Sequence, residues 1–399
     1  MRMLAVFQHP MSPTRVIGGG ERRFIELCRC WRRLGVEVDA IENPPYYVDS
    51  FPFYNCLGVP TPFASFPERR FTAHLKIWAE AVYALSGVTR VSRSAGYDLV
   101  YAHAPTIEDL LAASAVSRDI GVPLVVVHHH HYPSTENGMN PLSIYRDCRN
   151  VASPPSSVIS TIEFFLIRSL AARASAHIAV SKFTERQLLH MGYPPGSIFV
   201  SGNGVDAAYT DSFPEEGGPI YDGIYVGRVS PVKGSLDLLD IWRLVVDEIP
   251  GAKLVIVGGT KPYIHAEMRE KMIKLGIGGK VEIAGLVSDE VKFRLLKRSR
   301  VFVFPSLAEG WGLAPLEAMS CKLPVVSYDL PVLREVLGQG AIFAPLGDRR
   351  AFAEAICSIL RDEGGRWRLG LQSRRIAEGY SWDSVAEREL RFLERVAGV

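Results

Sequence analysis

Short apolar runs rich in Val, Ile and Ala alternate with helix-length segments along the whole 399-residue chain. This alternation narrows the possible fold more than any other feature. Runs that are apolar at nearly every position, not every second one, fit parallel strands covered by helices on both faces. In the first half the runs are Met3–Phe7, Val36–Ile41, Asp98–His103, Pro123–His128, Ala176–Val180 and Ile198–Ser201. In the second half they are Gly223–Val226, Lys253–Val257, Val281–Ala284, Val301–Phe304, Pro324–Ser327 and Ala341–Phe343. The two sets predict an α/β protein of two doubly wound, Rossmann-like domains, and the chain is long enough to give each its own core.

The stretch Gly202-Asn203-Gly204, followed by Ser212–Pro219, reads as the connection between them. The expected division is 1–204, 205–379 and a C-terminal segment 380–399. In that last segment Val385, Leu390, Leu393 and Val396 form one apolar side of a helix that Ser381 or Asp383 could cap. Residues Asn43–Phe71, rich in Pro, Tyr and Phe, read as a long irregular excursion from the first domain.

Composition removes several function classes. The chain is 47% hydrophobic and 22% charged with a net charge of +2, a soluble globular balance that argues against a dedicated nucleic-acid binder. No stretch approaches the ~20 apolar residues of a membrane span; Ile159–Val180 is interrupted by Glu163, Arg168, Arg173 and His177. The apolar start is too short before His9-Pro10 for a secretory leader. The 6 cysteines contain no C-x-x-C pair and read as reduced structural thiols, so the expected location is cytoplasmic. Arg22, Arg29 and Arg33 near one side of a helix from Glu21 to Leu34 read as a solvated face, with peripheral contact at the cytoplasmic membrane face as the other reading.

The sharpest motif is the string Glu309-Gly310-Trp311-Gly312-Leu313-Ala314-Pro315-Leu316-Glu317, which follows an expected strand and a Pro305-Ser306 turn. Its glycines allow close backbone approach to a ligand, and Pro315 suits the first turn of a helix. Amides at that helix start favour an anion, while the two carboxylates can hold different parts of one ligand. A second motif, Gly227-Arg228-Val229-Ser230-Pro231-Val232-Lys233-Gly234, places two cations on the loop after a strand. A guanidinium fork and a point charge together suit a diphosphate.

The N-terminal Gly18-Gly19-Gly20 turn opens a helix but lacks the G-x-G-x-x-G spacing of a dinucleotide site. His128-His129-His130-His131 ends a strand, where at most two imidazoles can share a face, and no further metal ligands accompany them. One histidine turned to a bound substrate is the favoured reading.

These residues resemble glycosyltransferase family 4, a group of retaining enzymes with the two-domain GT-B fold and a cleft between the domains. The resemblance runs through Gly18–Arg22, the His128 strand end, Asn203–Asp206, the Arg228/Lys233 loop, Ala284–Val287, the E-x7-E string and Leu330–Glu335. It implies that Arg228 and Lys233 neutralise the donor diphosphate, that Glu309 contacts the donor sugar, and that Glu317 binds the ribose. Gly310, Trp311, Gly312 and Leu313 would offer backbone contacts, Leu286 and Val287 would hold the nucleobase, and His128 would lie near the transferred sugar. Gly19 and Gly20 would leave room for phosphate or acceptor.

The resemblance further implies a nucleotide-sugar donor, UDP- or GDP-linked, as substrate, and a glycan or lipid-linked acceptor. No cofactor and no metal are expected, since cations and a helix start can stabilise the leaving group and no D-x-D pair is present. The terminal segment would be a helix returning to the first domain. Competing readings are a sugar-nucleotide epimerase of the same fold, a dinucleotide oxidoreductase using Glu42, and a non-catalytic binding module.

Overall fold

The computed structural model describes residues 1–7, 18–42, 96–129, 140–149, 154–214 and 217–399. Residues 43–71, expected as an irregular excursion, lie outside them. The chain divides into two compact units, one of Met1–Gly202 with Asp383–Val399 and one of Asn203–Trp382.

The first unit contains β1 (Arg2–Phe7), α1 (Gly19–Arg33), β2 (Glu37–Glu42), β3 (Leu99–Ala102), α2 (Ile107–Ile120), β4 (Leu124–His128), α3 (Pro141–Arg149), α4 (Pro154–Ala171), β5 (Ala176–Ala179), α5 (Lys182–His190) and β6 (Ile198–Val200). Its strands form one parallel sheet in the order β2-β1-β3-β4-β5-β6.

The second unit contains α6 (Ala207–Asp211), β7 (Tyr221–Val226), α7 (Ser235–Glu248), β8 (Leu254–Val257), α8 (Pro262–Lys274), β9 (Val281–Gly285), α9 (Asp289–Lys297) and β10 (Ser299–Phe304). After these come α10 (Leu313–Ser320), β11 (Val325–Tyr328), α11 (Pro331–Leu337), β12 (Ala341–Ala344), α12 (Arg349–Arg361) and α13 (Glu363–Glu378). Its sheet is parallel in the order β12-β11-β10-β7-β8-β9. The chain then enters α14 (Trp382–Ala397).

Each of the apolar runs read from the sequence overlaps a strand, and the fold class is the expected pair of doubly wound α/β sheets. The physical reason is visible in β3, β4, β8 and β11, where every residue is buried. Helix starts follow local chemistry as well. Thr106, Ser181 and Ser288 accept hydrogen bonds from the amides of Asp109, Thr184 and Val291, satisfying donors that the helix leaves unpaired.

In a doubly wound sheet, the order reverses where the chain has wound first to one side and then to the other. Loops diverge there and leave a crevice beyond the carboxyl ends of the strands. In the first unit this switch lies between β1 and β3; in the second it lies between β7 and β10. The two strands flanking the second switch carry the Arg228/Lys233 loop and the Glu309–Glu317 string at their carboxyl ends.

The terminal helix α14 packs within the first unit. The Trp31 indole donates to the Ala386 carbonyl at 3.1 Å, and Phe392 stacks on Phe199 with centroids 4.6 Å apart. Arg33 pairs with Asp383 at the surface. Deeper in, Arg23 and Glu389 form an ion pair in which both residues are fully buried. Tyr101 Oη donates to Glu389 at 2.8 Å, Arg23 donates to Tyr101 at 3.1 Å and to Ser201 at 2.8 Å, and Ser201 also bonds Glu389. Burial first, and the Glu389 carboxylate second, push the Tyr101 hydroxyl well above its ordinary pKa.

Removing one partner of such a pair leaves an uncompensated charge in the interior. Glu389→Ala is expected to destabilise the protein by about 3–5 kcal/mol, whereas replacing both Arg23 and Glu389 by Met should cost much less. Urea unfolding of the two variants checks this. A double variant as unstable as the single one would contradict it.

Candidate functional site

The site in the second unit begins with two loops fastened together. After β7, residues Pro231–Lys233 form a short 3-10 turn that ends at Gly234 with φ +69°. A Cβ at Gly234 would fall 1.8 Å from the Pro305 carbonyl oxygen, so only glycine permits the approach. The Leu307 amide donates to the Val232 carbonyl at 2.9 Å, making a second tie.

Between those ties, Lys233 Nζ lies 2.6 Å from Glu309 Oε1 and donates to the Ala308 carbonyl at 3.1 Å. The hydroxyl of Tyr225, on β7, donates to the Arg228 carbonyl at 3.0 Å. Its pKa is raised first by burial and then by the Glu309 carboxylate, with Arg228 opposing. Arg228, Lys233 and Glu309 are therefore brought into one neighbourhood, with Arg228 exposed at its edge.

The chain continues through Gly310, Trp311 and Gly312, all buried. Gly312 has φ +106° and starts α10 without a side-chain cap, followed by half-buried Leu313. Trp311 packs edge-on against Tyr380, and its indole nitrogen has no hydrogen-bond partner among the described residues. The hydroxyl oxygens of Ser230 and Ser235, on either side of Lys233, are also buried without a partner there. Buried polar groups are rarely left so, and donors waiting on a polar ligand are one reason.

Glu317 sits in the second turn of α10. Its Oε2 lies 2.9 Å from Lys292 Nζ on α9, and Lys292 also pairs with Asp289 at 3.1 Å. Between β9 and α9, Leu286 is 55% exposed and Val287 is half-buried.

In the first unit, Gly18 caps α1, and Gly19 and Gly20 open it. The histidine run divides as strand geometry requires. The geometry differs from the sequence reading of His128: this side chain is buried, with its Nε2 3.2 Å from His177 Nδ1 and its ring against Tyr193. His129 turns the other way, towards Gly20, and its Nε2 lies 2.7 Å from the His103 carbonyl. The His103 ring in turn meets the buried Asp109 carboxylate at 3.0 Å. His130 and His131 lie outside the described residues. Among the described residues, no group of three or more His, Cys, Asp or Glu is placed to hold a metal ion, and no helix is long and apolar enough to cross a membrane.

Lys292 and the buried pair Arg23 and Glu389 escaped the sequence reading, in which His129 stood only as one of the four-histidine run. For Arg23 and Glu389 a signal existed, because each interrupts the buried face of an amphipathic helix. Lys292 carries no such signal: it is one of several charges on α9, and its partner lies 25 positions away.

Comparisons with known proteins bear on the family and the fold. The family described as Glycosyltransferase Family 4 matches residues 17–209, and that described as Glycosyl transferases group 1 matches residues 221–362. O-antigen chain mannosyltransferase B of Escherichia coli is 28% identical over 58% of this chain and 63% of its own length. The chain thus spans less than two thirds of this relative in the matched stretch. Phosphatidyl-myo-inositol mannosyltransferase of Mycolicibacterium smegmatis is 26% identical over 96% of this chain and 92% of its own length. Among solved structures, Anabaena HepE in complex with UDP and glucose has a TM-score of 0.70 at 18% identity, covering 98% of this chain and 99% of that one. It shares the two-sheet fold.

The buried histidine pair has a consequence for stability. Burial lowers the His177 pKa to about 4 from an ordinary 6.5. The unfolded chain therefore takes up a proton near pH 6.5 that the folded chain refuses until about pH 4. Stability is full above the upper value and falls as pH drops through this window, by about 3 kcal/mol at its lower end. His177→Gln should flatten that dependence in urea titrations between the two pH values; an unchanged slope would refute the assignment.

Proposed function

The chain belongs to the glycosyltransferases of the family 4 kind, with the GT-B fold, and from that premise we propose that it transfers a hexose from a UDP- or GDP-linked donor to a hydroxyl acceptor with retention of configuration. The observation that carries this reading is the fastening of the Arg228/Lys233 loop to the Glu309 loop at the sheet's switch point. Breaking a glycosyl–phosphate bond requires stabilisation of the departing diphosphate. Arg228, Lys233 and the uncapped start of α10 supply positive potential there, and the hydroxyls of Ser230 and Ser235 can add hydrogen bonds.

Glu309 is then the group that orients the donor sugar, and Glu317 the one that accepts the ribose hydroxyls. Leu286 and Val287 offer the base an apolar surface. His129, beside Gly20, takes the substrate-facing role, while His128 supports the sheet. The departing phosphate, not Glu309, accepts the acceptor's proton in this scheme. No metal is required, because the cations come from the chain.

Two relatives are named as mannosyltransferases and a third, of Xanthomonas campestris, as a GDP-mannose:cellobiosyl-diphosphopolyprenol mannosyltransferase; these names make GDP-mannose the first donor to test and a lipid-linked hydroxyl the first acceptor class, with UDP-glucose as the second donor. Acceptor contact at a membrane surface is part of the proposal, as is a cytoplasmic location.

The decisive experiment measures nucleoside-diphosphate release from each donor with and without acceptor. Acceptor-dependent release coupled to a glycosylated product is expected, insensitive to EDTA. Donor conversion without acceptor would indicate an isomerase, and a magnesium- or manganese-rescued loss in EDTA would overturn the metal-independent mechanism. Arg228→Ala or Lys233→Ala should weaken the nucleoside diphosphate by about 1.5–3 kcal/mol and leave the nucleoside nearly unaffected. Isothermal titration with both ligands reads this directly; equal losses would remove the diphosphate role.

A further inference from the structure

Glu317 can accept two ribose hydroxyls only if its carboxylate is held in a fixed plane. A glutamate on a helix surface has several rotamers, so something must select one. In this chain the selecting group is a lysine on the neighbouring helix. Lys292 Nζ lies 2.9 Å from Glu317 Oε2, and both side chains are largely buried, at 12% and 17% exposure.

The lysine is itself held from two other sides. Asp289 Oδ1 lies 3.1 Å away, and the ammonium sits over the Phe293 ring, 4.4 Å from its centroid. Phe293 is buried and stacked on Phe213, with centroids 5.2 Å apart, so this face is part of the packed interior. A flexible four-carbon stem has thereby become a fixed point charge. It engages one carboxylate oxygen, leaving Oε1 for another donor.

We propose that Lys292 is a positioning residue for the ribose subsite: it holds the Glu317 carboxylate in one orientation, so that the remaining acceptor capacity reads the ribose 2′- and 3′-hydroxyls. The inference rests on the reading of Glu317 as the ribose carboxylate. It adds a determinant that makes the site discriminate ribonucleotides from 2′-deoxyribonucleotides. A purely structural bridge between α9 and α10 would affect stability and leave that discrimination untouched.

The test uses the full chain and four probes: UDP, GDP and the 2′-deoxy form of each, titrated calorimetrically. For the better-bound base, Lys292→Met is expected to weaken the ribonucleotide about tenfold and the 2′-deoxy form by less than about twofold, collapsing the preference between them. Lys292→Arg should restore most of the preference. Lys292→Gln, which keeps a donor for Glu317 without the charge, should fall between; it also serves if Lys292→Met does not fold. A folded Lys292→Met or Lys292→Gln variant that keeps the wild-type preference overturns the inference and leaves the donor reading intact. A wild-type chain that binds none of the four probes overturns the donor reading and this inference with it.

Discussion

The approach of Gly234 to the Pro305 carbonyl makes one site out of two loops. Strands β7 and β10 are neighbours in the sheet, but that alone fixes only where the loops begin. A side chain at position 234 would have to displace a backbone carbonyl, because a Cβ there meets Pro305 O at 1.8 Å. With glycine, the 3-10 turn closes onto the second loop and Lys233 reaches Glu309. The helices α7 and α10 both begin immediately after these loops, at Gly234 and Gly312, without side-chain caps. At α7 the Ser235 amide donates to the Ser230 carbonyl at 3.3 Å, whereas the uncapped start of α10 suits an anion, at the expense of the stability a cap would add.

The sheet topology was legible because parallel strands covered on both faces must be apolar almost throughout. Runs such as Leu124–Val127 leave few alternatives. The two motifs of the second unit were legible for a related reason: glycines and charges at strand ends interrupt those runs and have no packing role to explain them. What sequence spacing does not encode is the partner of a charge. Lys233 and Glu309 were read as two separate ligand contacts, and the structure joins them as an ion pair. Lys292 went unread because nothing within its own helix distinguishes it from Arg294 or Lys297. The histidine run shows the limit within a single strand: alternation guarantees that adjacent rings face opposite sides, but it does not say which side is packed. The burial of His128 against His177 and Tyr193 decides that.

Burial of Arg23 and Glu389 raises a different question, since two ionised groups in an interior are seldom the most stable choice. Their worth is in selectivity of pairing. An apolar α14 could slide along an apolar α1, whereas the carboxylate of Glu389 must meet Arg23, Tyr101 and Ser201 together. The Trp31–Ala386 bond and the Phe392–Phe199 stack then fix the remaining freedom of the helix. A charge in the apolar stripe of a helix thus sets its register in the manner of a polar residue in a coiled-coil seam.

The lysine–carboxylate pairs of the second unit bear on how a donor would be held. Lys233 already interacts with Glu309, so a diphosphate competes for that ammonium with a carboxylate. Two unit charges about 4 Å apart near a protein surface interact by about 4 kcal/mol, and a diphosphate brings more negative charge than one glutamate. In the proposed transfer the ammonium would be drawn towards the phosphates, and Glu309 would keep acceptor capacity for the sugar hydroxyls. The same carboxylate would repel the diphosphate once the sugar had gone, weakening the hold on product relative to donor. With those roles the pair would do more than fix two side chains: grip on the leaving group and grip on the sugar would depend on each other, which is the coupling a transfer reaction requires.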